Sequence, residues 1–68
     1  MRVELNGEAA ELPEGATVAD AVDASGAGAE PRGLAVALDG EVVRRVDWDA
    51  TGLREGQSVE VVRAVQGG

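Results

Sequence analysis

Ser58-Val-Glu-Val-Val-Arg-Ala-Val65 is followed directly by Gln66-Gly67-Gly68. The first eight residues are rich in β-branched side chains, and Val59, Val61 and Val65 recur on one face of an extended chain. A strand over 58–65 is expected. The diglycine behind it has no Cβ atoms, so it can thread a narrow channel and let another backbone come close. An α-carboxylate at Gly68 is a poor electrophile, but a mixed anhydride with AMP would make it a good one. A carbonyl flanked only by glycine is then open to an incoming nucleophile. Glycine fills 10 of the 68 positions, so a Gly-Gly pair arises at a given site from composition alone in roughly 2 % of cases. The pair is suggestive by itself; the fold in front of it decides.

Working outward, Met1-Arg-Val-Glu-Leu5 alternates apolar and charged residues, the mark of a half-buried strand. Asn6-Gly7 predicts a type I′ hairpin turn, and Glu8-Ala-Ala-Glu-Leu12 the returning strand, with Ala10 and Leu12 inward. Pro13-Glu14-Gly15 breaks it. Thr17 is placed to cap a short helix, with Asp20 three residues on as in a capping box. Val18, Ala21 and Val22 form its apolar stripe, and Gly26 is its stop. Residues 27–33 read as a flexible loop. Leu34-Ala-Val-Ala-Leu38 predicts a strand, Asp39-Gly40 a second tight turn, and Glu41-Val-Val43 the strand after it. Arg44 to Gly56 reads as irregular, anchored by Trp48 and Leu53.

This order predicts an α+β domain: one short helix packed on one face of a mixed sheet of four to five strands. It is the ubiquitin-like β-grasp, with the last strand central, beside the first. The domain is expected over residues 1–65, and residues 66–68 as a flexible tail projecting from it. No internal repeat or low-complexity segment interrupts this plan.

Composition narrows the function classes. The chain has no cysteine and no histidine, which removes disulfides, thiolate metal sites and the commonest general base. It also lacks lysine, tyrosine and phenylalanine, so there is no Schiff-base nucleophile. A side-chain catalytic centre or a metal site is not expected. Thirteen acidic residues against six arginines give a net charge of −7. That excess opposes binding to nucleic acid or to anionic membranes, and it suits either simple solubility or steering toward a basic protein surface. Met1 leads straight into a strand pattern, with no signal peptide and no run of the ~20 apolar residues needed to span a bilayer. A cytoplasmic location is expected.

Several segments in order carry a family resemblance. They are the opening strand with Asn6-Gly7, Gly15-Ala16-Thr17-Val18, Val36-Ala37-Leu38-Asp39-Gly40-Glu41-Val42-Val43, and Arg45 with Trp48. The set closes with Gly56-Gln57-Ser58-Val59-Glu60-Val61-Val62 and Ala64-Val65-Gln66-Gly67-Gly68. Together they resemble the ThiS family, the sulfur carriers of thiamine thiazole synthesis, over essentially the whole length. The resemblance implies a protein cosubstrate and not an enzyme. A ThiF-like adenylating enzyme, using ATP and magnesium, would act on the Gly68 carboxylate. A persulfide sulfur donor would then displace AMP, and the resulting thiocarboxylate would give its sulfur to a ThiG-like thiazole synthase. No cofactor is implied for the chain itself. A chain without cysteine can carry sulfur only on its backbone terminus, which agrees.

Gly68 is thus the candidate modified residue and Gly67 its access residue. Gln66 and Val65 are candidates for docking to partners as extended strand. Trp48 is read as covering the edge of the core more than as an interface anchor, and Arg45 as an exposed charge. Two positions depart from the family pattern: Arg44 stands where a proline commonly precedes the arginine, and Gln57 where an aspartate often follows the glycine. Related readings with the same tail are a molybdopterin-synthase small subunit, which tends to carry a Pro-Pro stretch absent here, and a ubiquitin-like protein modifier.

Overall fold

Two hairpins frame the sheet, and both turn where the sequence places glycine after a residue that tolerates left-handed backbone. Asn6 and Gly7 have φ of 51° and 84°, and Asp39 and Gly40 have 49° and 87°. Positive φ at both central positions is the type I′ turn, whose twist matches that of the paired strands. The first turn joins β1 (Arg2–Leu5) to β2 (Glu8–Glu11), and the second joins β3 (Leu34–Leu38) to β4 (Glu41–Val43). β2 ends one residue earlier than expected, although the Leu12 N–H still donates to the Met1 carbonyl at 2.9 Å.

The computed structural model describes residues 1–28 and 32–63. The expected end of the last strand at Val65, the tail residues Gln66, Gly67 and Gly68, and part of the 27–33 loop lie outside the described residues.

The helix α1 (Val18–Ala24) follows β2 and begins as its sequence predicts. Thr17 Oγ1 accepts from the Asp20 N–H, and the Asp20 carboxylate accepts from the Thr17 N–H at 2.8 Å, completing the capping box. Such a cap contributes about 1 kcal/mol. Seven residues are too few for a helix to persist alone in water, so packing decides. Val18, Ala21 and Val22 are buried, and burial of one valine contributes about 1.5–2 kcal/mol.

β5 (Ser58–Arg63) completes a five-stranded sheet in the order β2-β1-β5-β3-β4. It runs parallel to β1 and antiparallel to β3, the central place expected of it. Val3, Leu5, Val36 and Val59 point from the sheet toward α1 and are buried with Leu12, Ala16, Leu53 and Trp48. Val3, Val18, Val36 and Val59 are the largest fully sealed side chains. The core is made mainly of valine, leucine and alanine, and no polar side chain is buried among the described residues.

The stretch read as irregular contains a 3₁₀ helix, Arg45–Ala50. Trp48 sets it in place: the ring is buried against the core, and its Nε1–H donates to the Val43 carbonyl at 3.0 Å. No apolar period announces so short an element, because a 3₁₀ turn needs only one anchoring side chain. The chain beyond it is tied to the helix entry by the Val18 N–H on the Thr51 carbonyl and the Leu53 N–H on the Ala16 carbonyl, both 2.9 Å.

Arg44 immediately precedes this 3₁₀ helix with φ −66° and ψ 146°. That φ is the one a pyrrolidine ring enforces, and the Arg44 N–H donates to no acceptor among the described residues. Val43 before it is extended, as a residue preceding proline must be. Arg44→Pro is therefore expected to stabilise the fold by about 0.4–1 kcal/mol through the unfolded chain. Thermal denaturation should show Tm raised by roughly 2–8 °C; a fall would mean that this backbone needs the lost N–H.

The β3–β4 turn also clamps the start of β5. Asp39 accepts from the Ser58 N–H at 2.9 Å and from Gln57 Nε2 at 3.0 Å, while Gln57 Oε1 accepts from the Arg54 N–H at 2.7 Å. The hydrogen bond from Ser58, then that from Gln57, holds the Asp39 carboxyl below its ordinary range. A depressed folded value gives stability that is full above the unfolded value, about 3.9, and is lost as pH falls through the folded one. Wild type should exceed Asp39→Asn in denaturant midpoint at neutral pH, well above the carboxylate range, and the gap should close as pH falls below about 4. A gap that does not vary with pH would refute the clamp's dependence on charge.

Candidate functional site

The position from which the C-terminal segment departs is set by β5 and its two neighbours. On one side β3 pairs along the whole strand, from Leu38 opposite Val59 to Leu34 opposite Arg63. On the other side β1 reaches only as far as Leu5 opposite Val59. Asn6 then adds two bonds. Its N–H donates to the Val59 carbonyl at 2.9 Å, and its side-chain Oδ1 accepts from the Val61 N–H at 2.8 Å. Arg63, the last described residue, donates through Nη1 to the Arg32 carbonyl at 3.1 Å. The candidate residues Val65, Gln66, Gly67 and Gly68 follow this point and lie outside the described residues.

Strand pleating sorts the rest of β5 into two faces. Val59 and Val61 face the helix, whereas Glu60 and Val62 face away from it. On that open face Val62 stands opposite Ala35, and Ala37 stands opposite both Glu60 and Val42. Val62 and Val42 are 58 % and 77 % exposed, too much for core residues. Toward β1 and β2 the same face turns charged, with the Arg2 guanidinium 3.3 Å from the Glu11 carboxylate. An apolar strip thus runs across β4, β3 and β5 beside the root of the C-terminal segment.

The sequence reading did not single out this strip. Its signal was present: Leu34 to Leu38 and Val61-Val62 are apolar in both phases of the alternation, which marks strands apolar on two sides. The dual role of Asn6 was missed as well, because the turn motif alone explained the residue. Trp48 is a core residue on the helix side, as read. Arg45 is exposed and lies with Asp23 and Asp49 along a shallow groove between α1 and the 3₁₀ helix, on the face opposite the apolar strip. Val46 is a further exposed valine, for which the fold supplies no role.

The chemistry in the folded part is sparse. Every described carboxylate is exposed, and Asp39 is committed to the β5 clamp. No three acidic side chains gather as a metal site among the described residues, and none of the described helices is long and apolar enough to cross a membrane. What the domain offers is a firmly held central strand, an apolar strip beside its end, and the glycine-terminated segment that follows.

Comparison with known proteins agrees with this arrangement. The ThiS family profile matches residues 3–68. The crystal structure of the thiamine biosynthesis protein ThiS from Geobacter metallireducens superposes with a TM-score of 0.82 at 30 % identity, covering 100 % of both chains. The solution structure of a thiamine biosynthesis protein from the same organism gives 0.78 at 30 % identity, covering 100 % of this chain and 88 % of that one. No curated protein sequence matches this one significantly. With the profile running from β1 through the terminal diglycine and the β-grasp fold shared throughout, the chain belongs to the ThiS family.

Proposed function

We propose that the protein is a sulfur carrier for thiazole formation in thiamine biosynthesis, with Gly68 as the loaded residue. The observation that carries this reading is the family match, which continues through Gly67-Gly68, four and five residues past the end of the central strand β5. The Gly68 carboxylate attacks the α-phosphate of ATP in a ThiF-like enzyme, with magnesium, and releases pyrophosphate. The terminal sulfur of a persulfide then attacks the acyl carbon, and AMP leaves. A thiol cleaves the remaining S–S bond, forming a disulfide and freeing the thiocarboxylate. A ThiG-like thiazole synthase receives the sulfur.

The folded part contributes positioning. It has no histidine or cysteine, and no desolvated polar side chain among its described residues. The diglycine reaches into the partner's site, while Val65 and Gln66 dock as extended chain. The apolar strip of Ala35, Ala37, Val42 and Val62 meets the adenylating enzyme. Its exposed valines gain in such a contact what they forgo in the free protein.

With a competent adenylating enzyme, ATP and a sulfur donor, the intact mass should rise by the difference between sulfur and oxygen. A variant lacking Gly67-Gly68 should fold normally and show no rise. Wild type with no rise, or a truncated chain that still supports thiazole formation in vivo, would refute the proposal; adducts at high mass would favour a protein modifier instead.

Replacing Val42 and Val62 together by aspartate should keep the fold at a cost of about 1 kcal/mol per site. The same change should raise the KM for the carrier in adenylation by roughly tenfold. An unchanged KM would remove the strip from the docking surface.

A further inference from the structure

In the parallel ladder between β1 and β5, alternate β1 residues each donate an N–H to one β5 carbonyl and accept from the β5 N–H two residues later. Glu4 donates to the Gln57 carbonyl at 2.8 Å and Asn6 to the Val59 carbonyl at 2.9 Å. The next partner in this pattern is the Asn6 main-chain carbonyl, facing the Val61 N–H. That carbonyl is turned away, because Asn6 has left-handed backbone, φ 51°, to begin the hairpin turn. The Asn6 side chain supplies the missing acceptor, with Oδ1 2.8 Å from the Val61 nitrogen across 55 positions of sequence.

We propose that Asn6 is a positioning residue whose side-chain carbonyl stands in for its main-chain one and fixes the root of the C-terminal arm. Two demands meet at this position. The turn needs a residue that tolerates positive φ, and β5 needs a carbonyl at the end of β1. Glycine meets the first demand only, alanine neither, and asparagine or aspartate both. Without the acceptor, β5 beyond Val59 is held by β3 alone, on one side. Its last residues would then sample more orientations, and ordering them in a partner's channel would weaken binding. The positioning role rests on the carrier reading; the hydrogen bond and its effect on β5 do not.

Asn6→Gly separates the two demands, since it keeps the turn and deletes the acceptor. Amide exchange measured by NMR should be at least about fivefold faster at Val61 in Asn6→Gly than in wild type, with exchange at Val3 and Val18, in the core, changed less. Asn6→Asp should stay within about twofold of wild type. In adenylation by the cognate enzyme, Asn6→Gly should raise KM about fivefold at unchanged kcat, and Asn6→Asp should restore it. Unchanged relative exchange at Val61 in Asn6→Gly would overturn the clip, and faster exchange with unchanged KM would overturn the positioning role. Wild type that takes up no sulfur would overturn the carrier reading, and the positioning role with it, while the exchange comparison still judges the clip.

Discussion

The structure depends on the pairing of β5 from both sides. The strand is paired by β3 along its length and by β1 with Asn6 as far as Val61, and the fully buried Val59 locks it to the helix layer. Contacts so distant in sequence carry a large loop-closure cost, and a chain of 68 residues has little core to offset it. The fold answers with local reinforcement: two type I′ turns, a capping box, the Asp39 clamp at the start of β5 and Asn6 near its end. The capping box and the Asn6 hydrogen bond each contribute about 1 kcal/mol, and most of these devices meet at the central strand. β5 is therefore held at its start by Asp39 and as far as Val61 by Asn6.

A single short helix can cover only one side of a five-stranded sheet. A sheet in this position normally places polar residues on its open face. Here the half nearest β1 and β2 does so, with Arg2, Glu4 and Glu11. The half nearest β4 does not, and it is this half that adjoins the end of β5. Elsewhere acidic side chains dominate the surface, and the net charge of −7 disfavours association between like copies. Apolar surface at one place and repulsion everywhere else favour a partner of different charge over self-association.

Much of this fold was legible in the sequence because its signals are local. Asn6-Gly7 and Asp39-Gly40 specify their turns by backbone sterics alone, and Thr17 with Asp20 specifies the helix start by hydrogen bonds three residues apart. The period-two pattern of Val59 and Val61 identified β5, and its central place followed from the β-grasp order. The 3₁₀ helix was not legible, since a six-residue element held by Trp48 alone leaves no apolar periodicity. The apolar strip was legible only in part: residues 34–38 and Val61-Val62 read as apolar on two sides, but only register sets Ala35 beside Val62 and Ala37 beside Val42. The second use of Asn6 is non-local by 55 residues, and no motif encodes it. Of the proposed site, Gly67 and Gly68 came from sequence, while the surface around their root came from the sheet.

The proposed placing of reactivity on a backbone terminus would suit a domain of this size. A side-chain nucleophile or general base must be partly desolvated and held by a surrounding shell, and each such group opposes folding. A core built chiefly of valine, leucine and alanine has little surplus for that. In the proposed function the reacting carbonyl belongs to Gly68, so desolvation and charge stabilisation would fall to the partner that binds it. The scaffold then needs only to stay folded, present one face and hold one strand end still. On this argument the residues that matter most to function inside the domain are those that fix the end of β5, and they belong to the turn and to the sheet edge, not to a cavity.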